Sequence, residues 1–137
     1  MSDQLRAMLV RHEGLQLKPY KDSVGKLTIG VGRNLEDDGI SERESYMLLD
    51  NDIMSHTIDA QKLPVFTALD PVRQDVLIDM VFNMGIRRVQ GFKKMLAALS
   101  VKDWEEAAAE MRSSKWAVQV GARARELAAM MQKGEYP

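Results

Sequence analysis

The chain contains no cysteine, which excludes a disulfide scaffold, a thiol nucleophile and a thiolate metal site. Its two histidines, His12 and His56, are too few for a histidine-rich metal centre. No metal and no cofactor is expected. An excess of one charge is missing as well. Lys and Arg total 19 and Asp and Glu 20, a formal net charge of -1. The chain therefore lacks the basic field that draws in nucleic acid, and no nucleic-acid partner is expected. No apolar run reaches the roughly 18 residues of a membrane span. The opening Met1-Ser2-Asp3-Gln4-Leu5-Arg6 lacks a signal peptide's basic region and apolar block. The expectation is a protein made in the cytoplasm without an export signal and without stable membrane insertion.

What is present has the composition of a folded domain, 45% hydrophobic and 28% charged. The length of 137 residues fits one domain. Ser2 can cap a first helix that runs to His12 or Glu13, with Leu5, Met8, Leu9 and His12 along one stripe and Gly14 ending it. From Lys18 to Leu35 the pattern changes. Asp22-Ser23-Val24-Gly25 reads as a turn, and Leu27-Thr28-Ile29-Gly30-Val31-Gly32 as a strand in a small antiparallel hairpin or three-strand sheet. Ser41-Glu42-Arg43-Glu44 is a capping box that opens a helix of some 20 residues, about 30 Å long. Asp70-Pro71 opens another helix, stopped by Gly85. Further helices fit Val89–Leu99, Val101–Ser113 with Ser100 as cap, and Ala122–Lys133 closed by Gly134.

Three polar residues in the first 28 draw attention. Glu13 falls in the last turn of a helix, facing the negative end of its dipole, an unfavourable place for an anion and a useful one for a general acid. Taken alone it reads as an exposed surface carboxylate. Asp22, nine residues on, reads alone as a turn residue bonding its own backbone, and Thr28 as a β-former. An acid on a helix end and another on a facing hairpin is also how a glycosidase brackets a glycosidic bond.

The segment as a whole says more. His12-Glu13-Gly14-Leu15, Tyr20-Lys21-Asp22 and Gly25-Lys26-Leu27-Thr28-Ile29-Gly30-Val31-Gly32 resemble the phage lysozymes of the T-even-phage type. That family is marked by a Glu, eight residues, an Asp, five residues and a Thr that opens a Thr-Ile-Gly-x-Gly strand. The resemblance continues through Leu69-Asp70-Pro71-Val72-Arg73, Asp79-Met80-Val81-Phe82-Asn83-Met84-Gly85, Trp104-Glu105-Glu106-Ala107-Ala108, Ser114-Lys115-Trp116 and Arg123-Ala124-Arg125. It covers nearly the whole chain.

The resemblance implies an α+β, mostly helical lysozyme-like fold forming a single domain over residues 1–137. Its small hairpin lobe would span about 14–40 and its connecting helix about 42–62. The helical lobe would span 64–137 together with the N-terminal helix, with a cleft between the lobes. It also implies a muramidase that hydrolyses the β-1,4 bond between N-acetylmuramic acid and N-acetylglucosamine in peptidoglycan. Its partner would be the glycan strand, its state monomeric, and its route to the wall a holin-type lesion. Glu13 would protonate the leaving oxygen, while Asp22 and Thr28 would hold the attacking water, with inversion favoured. Phe82 and Asn83 match cleft-lining positions, although Phe82 also reads as core packing beside Ile78 and Val81, and Asn83 as a helix-end cap. Gly32 and Asn34 would offer backbone groups to the glycan, and Arg123 stands where the family has an arginine beside the catalytic glutamate. Trp104 reads as core, Trp116 as core or sugar-stacking, His56 as a surface or lobe-interface residue, and the ten methionines as core filling.

Two departures stand out. The family often has His after the second glycine of the strand motif, and this chain has Arg33. By the resemblance, Arg33 would form a structural ion pair with Asp52 on the long helix. The stretch from Asn34 to Ile40 is also short, so a reduced small lobe is expected. Other classes fit less well. A fold kept only for binding would be expected to lose one of Glu13, Asp22 and Thr28, and all three stand. A lytic transglycosylase would need the acid but neither Asp22 nor Thr28. A helical DNA-binding regulator would need more basic surface than Arg87-Arg88 and Lys93-Lys94 supply.

Overall fold

The computed structural model describes residues 2–137. Helix α1 covers Asp3–Glu13 and is capped by Ser2, whose hydroxyl accepts the Leu5 amide at 3.1 Å. Gly14 closes it by donating to the Val10 carbonyl at 2.8 Å. Strands β1 (Gln16–Lys21), β2 (Leu27–Gly30) and β3 (Arg33–Asn34) follow and form one antiparallel sheet in the order β1-β2-β3. The register shifts between Gln16 and Tyr20 in β1, where Pro19 has no amide to give. An edge strand tolerates that loss. A short helix α2 (Leu35–Asp38), capped by Asn34, then leads to helix α3 (Glu42–Ala60). The capping box of α3 forms in both directions: Glu44 N–H donates to Ser41 Oγ at 3.1 Å and Ser41 N–H to Glu44 Oε1 at 2.9 Å.

After a 3-10 turn at Phe66–Ala68 come α4 (Pro71–Met84), α5 (Ile86–Gln90), α6 (Lys93–Ser100), α7 (Trp104–Arg112), α8 (Lys115–Val120) and α9 (Ala122–Lys133). Several boundaries differ from the sequence expectation. The single helix expected over Val89–Leu99 is two, because the chain turns at Gly91, whose amide reaches the Arg87 and Arg88 carbonyls. The cap of α7 is Asp103 rather than Ser100, and Ser100 spends its hydroxyl on the Ala97 carbonyl at 2.6 Å. Helices α2 and α8 are too short for hydrophobic periodicity to register. Their caps, Asn34 and Ser114, are the signals that mark them.

The chain divides into two compact units, Met1–Leu48 and Leu49–Pro137. The division groups α1 with the sheet, where the sequence reading had joined it to the helical lobe, and it falls inside α3. Within the first unit, among the described residues, Thr28 is the one buried side chain; the expected apolar stripe of α1 buries nothing. This unit is organised by strand pairing, caps and turns. The second unit holds the hydrophobic core. Val76, Leu77, Met80 and Val81 of α4 meet Val89, Met95, Leu99, Ala107, Ala108, Met111, Trp116, Leu127, Ala128 and Met131, all nearly or fully inaccessible. Met80, Met95, Met111 and Met131 fill this core as their unbranched shape allows.

One buried cation ties three of these helices together. Arg73, in the first turn of α4, is only 7% exposed. Its Nε donates to the Met131 carbonyl at 2.6 Å and its Nη2 to the Gln132 carbonyl at 3.0 Å, so it satisfies the open C-terminal end of α9. Its Nη1 donates to Asp70 Oδ1 at 3.0 Å, and the guanidinium lies 3.9 Å over the Trp104 ring. Burial alone would raise the Asp70 carboxyl, but the hydrogen bonds from Arg73 outweigh it and hold it below its ordinary value. Gly134, left-handed at φ 72°, leaves room for the guanidinium; a Cβ there would fall 2.7 Å from Arg73 Nη1. Arg73→Ala should lower stability by about 2–4 kcal/mol, since two carbonyls and one carboxylate lose a buried charged donor. Arg73→Lys should recover less than about half of that, because an ammonium cannot reproduce the planar fork. Urea denaturation measures both, and an alanine variant within about 0.5 kcal/mol of wild type would contradict the clamp.

Candidate active site

The three candidate catalytic residues all belong to the first unit. Glu13 ends α1, exposed, and its side chain lies on the backbone of Gly32 in the β2–β3 turn. Among the described residues its carboxylate has no side-chain hydrogen bond and no ion pair. Gly32 adjoins Arg33, which pairs with Ile29 beside Thr28, so the carboxylate sits over the end of the strand pair that carries the threonine.

Asp22 behaves as its local reading expects. Its Oδ1 accepts the amides of Val24 at 3.0 Å and Lys26 at 2.8 Å, and its own amide donates to the Lys26 carbonyl at 2.9 Å. This is an Asx-type turn that reverses the chain from β1 into β2. With both amides on Oδ1, Oδ2 is the oxygen available to other chemistry. Thr28 is 3% exposed and donates its hydroxyl proton to the Lys26 carbonyl at 2.8 Å. A further partner of Thr28 Oγ1 must therefore be a donor. Lys26 links the two residues through its amide and its carbonyl, while its ammonium pairs with Glu36 and Asp37.

The other candidates distribute differently. Asn34 has no side-chain freedom to offer. Its Oδ1 caps α2 through the Asp37 amide at 2.9 Å and its Nδ2 donates to Asp37 Oδ2 at 3.0 Å. Phe82, Asn83 and Arg123 lie in the second unit. Phe82 is 39% exposed rather than core, and its ring meets His56 at 4.9 Å between centroids. Its neighbour Val81 takes the core position on α4. Asn83 accepts the Trp116 indole N–H at 2.7 Å, which places Trp116 in the core with its polar edge satisfied and gives Asn83 a tying role instead of a cap. Arg123 is held by Asp79, with Nε and Nη2 both 2.8 Å from Oδ1. These two residues and Phe82 line a pocket of about 380 Å³ with Leu49, Ile53 and Tyr136. Tyr136 donates to Asp75, and that bond holds its phenol above the usual range.

The expected Arg33–Asp52 pair is replaced by another. Arg33 Nη1 lies 2.7 Å from Glu44 Oε1 and also donates to the Gly39 carbonyl at 3.3 Å. Glu44 belongs to the first turn of α3, beside the strand that carries Arg33, whereas Asp52 is eight residues farther along the helix, about 12 Å. Glu44 and Asp79 are the ion-pair partners that the sequence reading missed. The capping box already turned the Glu44 carboxylate back toward the Ser41 amide.

The phage lysozyme family model matches residues 10–133. A probable T4-type lysozyme 1 from Dictyostelium discoideum is 29% identical over 166 aligned positions, which span 98% of this chain and 96% of that one. The endolysin of Salmonella phage P22 is 34% identical over 108 positions, 73% of each chain. The pre-baseplate central spike protein Gp5 of Enterobacteria phage T4 is 31% identical over 85% of this chain and 25% of its own. Helices with one small antiparallel sheet, matched along nearly the whole chain, define a lysozyme-type glycoside hydrolase. The chain belongs to the phage lysozyme family.

The Arg33–Glu44 pair carries a pH signature. Arg33 and the two Ser41 hydrogen bonds hold the Glu44 carboxyl at about 2, against an ordinary 4.5. A carboxyl depressed in the folded state stabilises fully above its unfolded value and loses that contribution as pH falls through the folded value. Wild type should therefore exceed Glu44→Gln in stability above about pH 4.5, with the gap closing as pH falls toward about 2. No loss should appear on the alkaline side, because a guanidinium stays charged. Urea midpoints of the two proteins across pH 2–8 measure this, and a gap independent of pH would contradict it.

Proposed function

We propose that this lysozyme hydrolyses the β-1,4 bond between N-acetylmuramic acid and N-acetylglucosamine in peptidoglycan, with Glu13 as general acid and a water held by Asp22 and Thr28. The observation that carries the reading is the exposed, unpaired carboxylate of Glu13 lying on bare glycine backbone, where a bulky glycan can reach it. Glu13 gives its proton to the glycosidic oxygen as the bond from the anomeric carbon breaks. Water adds to that carbon and passes its proton toward Asp22 Oδ2, while Thr28 Oγ1, its own proton committed to Lys26, accepts a hydrogen bond from the same water. A single displacement of this kind inverts the anomeric centre. Within the first unit, Gly32 and Asn34 would offer the glycan backbone groups alone; within the second, Phe82 and Asn83 would offer side chains and Arg123 the guanidinium that Asp79 orients.

No helix among the described residues is long and apolar enough to cross a membrane. In this reading the protein acts as a monomer made in the cytoplasm and reaches the wall through a holin-type lesion.

Glu13→Gln should lower the rate of wall hydrolysis by at least about 100-fold at unchanged stability, since an amide of equal volume delivers no proton. Asp22→Asn should also lose most activity, yet fold as wild type, because the amide oxygen still accepts the Val24 and Lys26 amides. Mass spectrometry of the products should show reducing ends; anhydro-muramic ends would instead indicate a transglycosylase. Glu13→Gln activity within about tenfold of wild type would remove Glu13 from the acid's role.

A further inference from the structure

We infer that Gly32 is a positioning residue for the reaction, its bare Cα being the surface that fixes the carboxylate of Glu13. The inference rests on Glu13 being the acid. A Cβ on Gly32 would lie 2.9 Å from Glu13 Oε2, 3.1 Å from its Cδ and 3.2 Å from its Cγ. Contact at 2.9 Å forces something to move. All three atoms belong to one flexible, exposed side chain, so the backbone stays and the carboxylate swings away. The displacement is therefore cheap for the fold and expensive for the chemistry, since a shift of about 1 Å in a reacting group can cost about 100-fold in rate.

The same turn supplies its own control. Gly30 has φ +70° and Gly32 φ +71°, both in the positive range that L-residues rarely adopt, so a side chain is strained at either position. A Cβ on Gly30, however, meets nothing within 4 Å. Gly30→Ala measures positive-φ strain alone; Gly32→Ala combines positive-φ strain with the displacement of Glu13.

The test compares Gly32→Ala, Gly30→Ala, Glu13→Gln and wild type in the full chain, by thermal melts and by kinetics on soluble, uncross-linked peptidoglycan strands. Both alanine variants should melt lower than wild type. Only Gly32→Ala should lose kcat, by about tenfold or more, with KM within about twofold of wild type. Gly30→Ala should keep both constants within about twofold at a temperature where it is folded. Glu13→Asp retreats from position 32 by one methylene, so it should cost less activity on the Gly32→Ala background than on wild type. If either alanine variant fails to fold, Gly32→Asn and Gly30→Asn replace the pair, because Asn accepts the left-handed region more readily. Equal kcat for the position-32 and position-30 variants, with Glu13→Gln inactive, would overturn the role of Gly32 and leave the acid assignment standing. A loss confined to KM would do the same, marking Gly32 as a glycan contact. An active Glu13→Gln would overturn both.

Discussion

A single carboxylate oxygen shapes the turn from which the candidate site is built. Asp22 Oδ1 accepts two backbone amides, Val24 and Lys26, and thereby sets where β2 begins. Because Lys26 is fixed, its carbonyl is in place to take the Thr28 hydroxyl proton, and Thr28 becomes the buried side chain of the unit. Two residues with proposed chemical roles are thus first of all structural. Such a design leaves one oxygen of Asp22 and the lone pairs of Thr28 for a water, already oriented by bonds that the substrate does not have to form. Preorganisation of this kind costs nothing at the moment of reaction.

The two units solve the folding problem by different means. Leu49–Pro137 buries a continuous apolar core and ends its last helix on the guanidinium of Arg73. A buried arginine is tolerable there because carbonyl and carboxylate oxygens take three of its nitrogens and an indole ring covers its face. Among its described residues, the first unit has no comparable apolar interior. Its order comes from the Asx-type turn, three strands, the caps at Ser2, Asn34 and Ser41, and the Arg33–Glu44 and Lys26 ion pairs. Exposed ion pairs are individually weak. Caps and turns, which fix backbone direction over a few residues, are therefore the features that hold the small unit's geometry.

Much of this was legible in the sequence because the signals are local. Ser2, Gly14, the Ser41–Glu44 box, Asp70-Pro71, Gly85 and Gly134 all act where they were expected, since a cap is decided by its own four residues. The three-strand sheet was legible from a turn followed by β-branched residues and glycines. Failures came where the deciding neighbour is distant in sequence or the element is too short to show a period. Phe82 and Val81 are equally apolar on paper, and only packing decides which one faces inward. Asn83 looked like a cap until Trp116, 33 residues away, claimed its oxygen. Arg33 found Glu44 and not Asp52 because the reach of one side chain, not the register of a related pair, selects the partner.

The contrast between Glu13 and its neighbouring acids bears on how a catalytic acid can be held at all. In the first unit, Glu36, Asp37 and Glu44 are all anchored by cations, and Asp22 by amides. Of these, Glu44 has its carboxyl held well below the ordinary value by Arg33 and Ser41. An acid that must carry a proton to the glycosidic oxygen cannot be fixed by the same means without being pushed toward its anion. Contact with uncharged backbone is the remaining way to restrict it. Gly32 supplies that contact by having no side chain: a Cβ there would fall 2.9 Å from Glu13 Oε2 and 3.2 Å from its Cγ. Position is then controlled by shape, with no charged donor placed on the carboxylate.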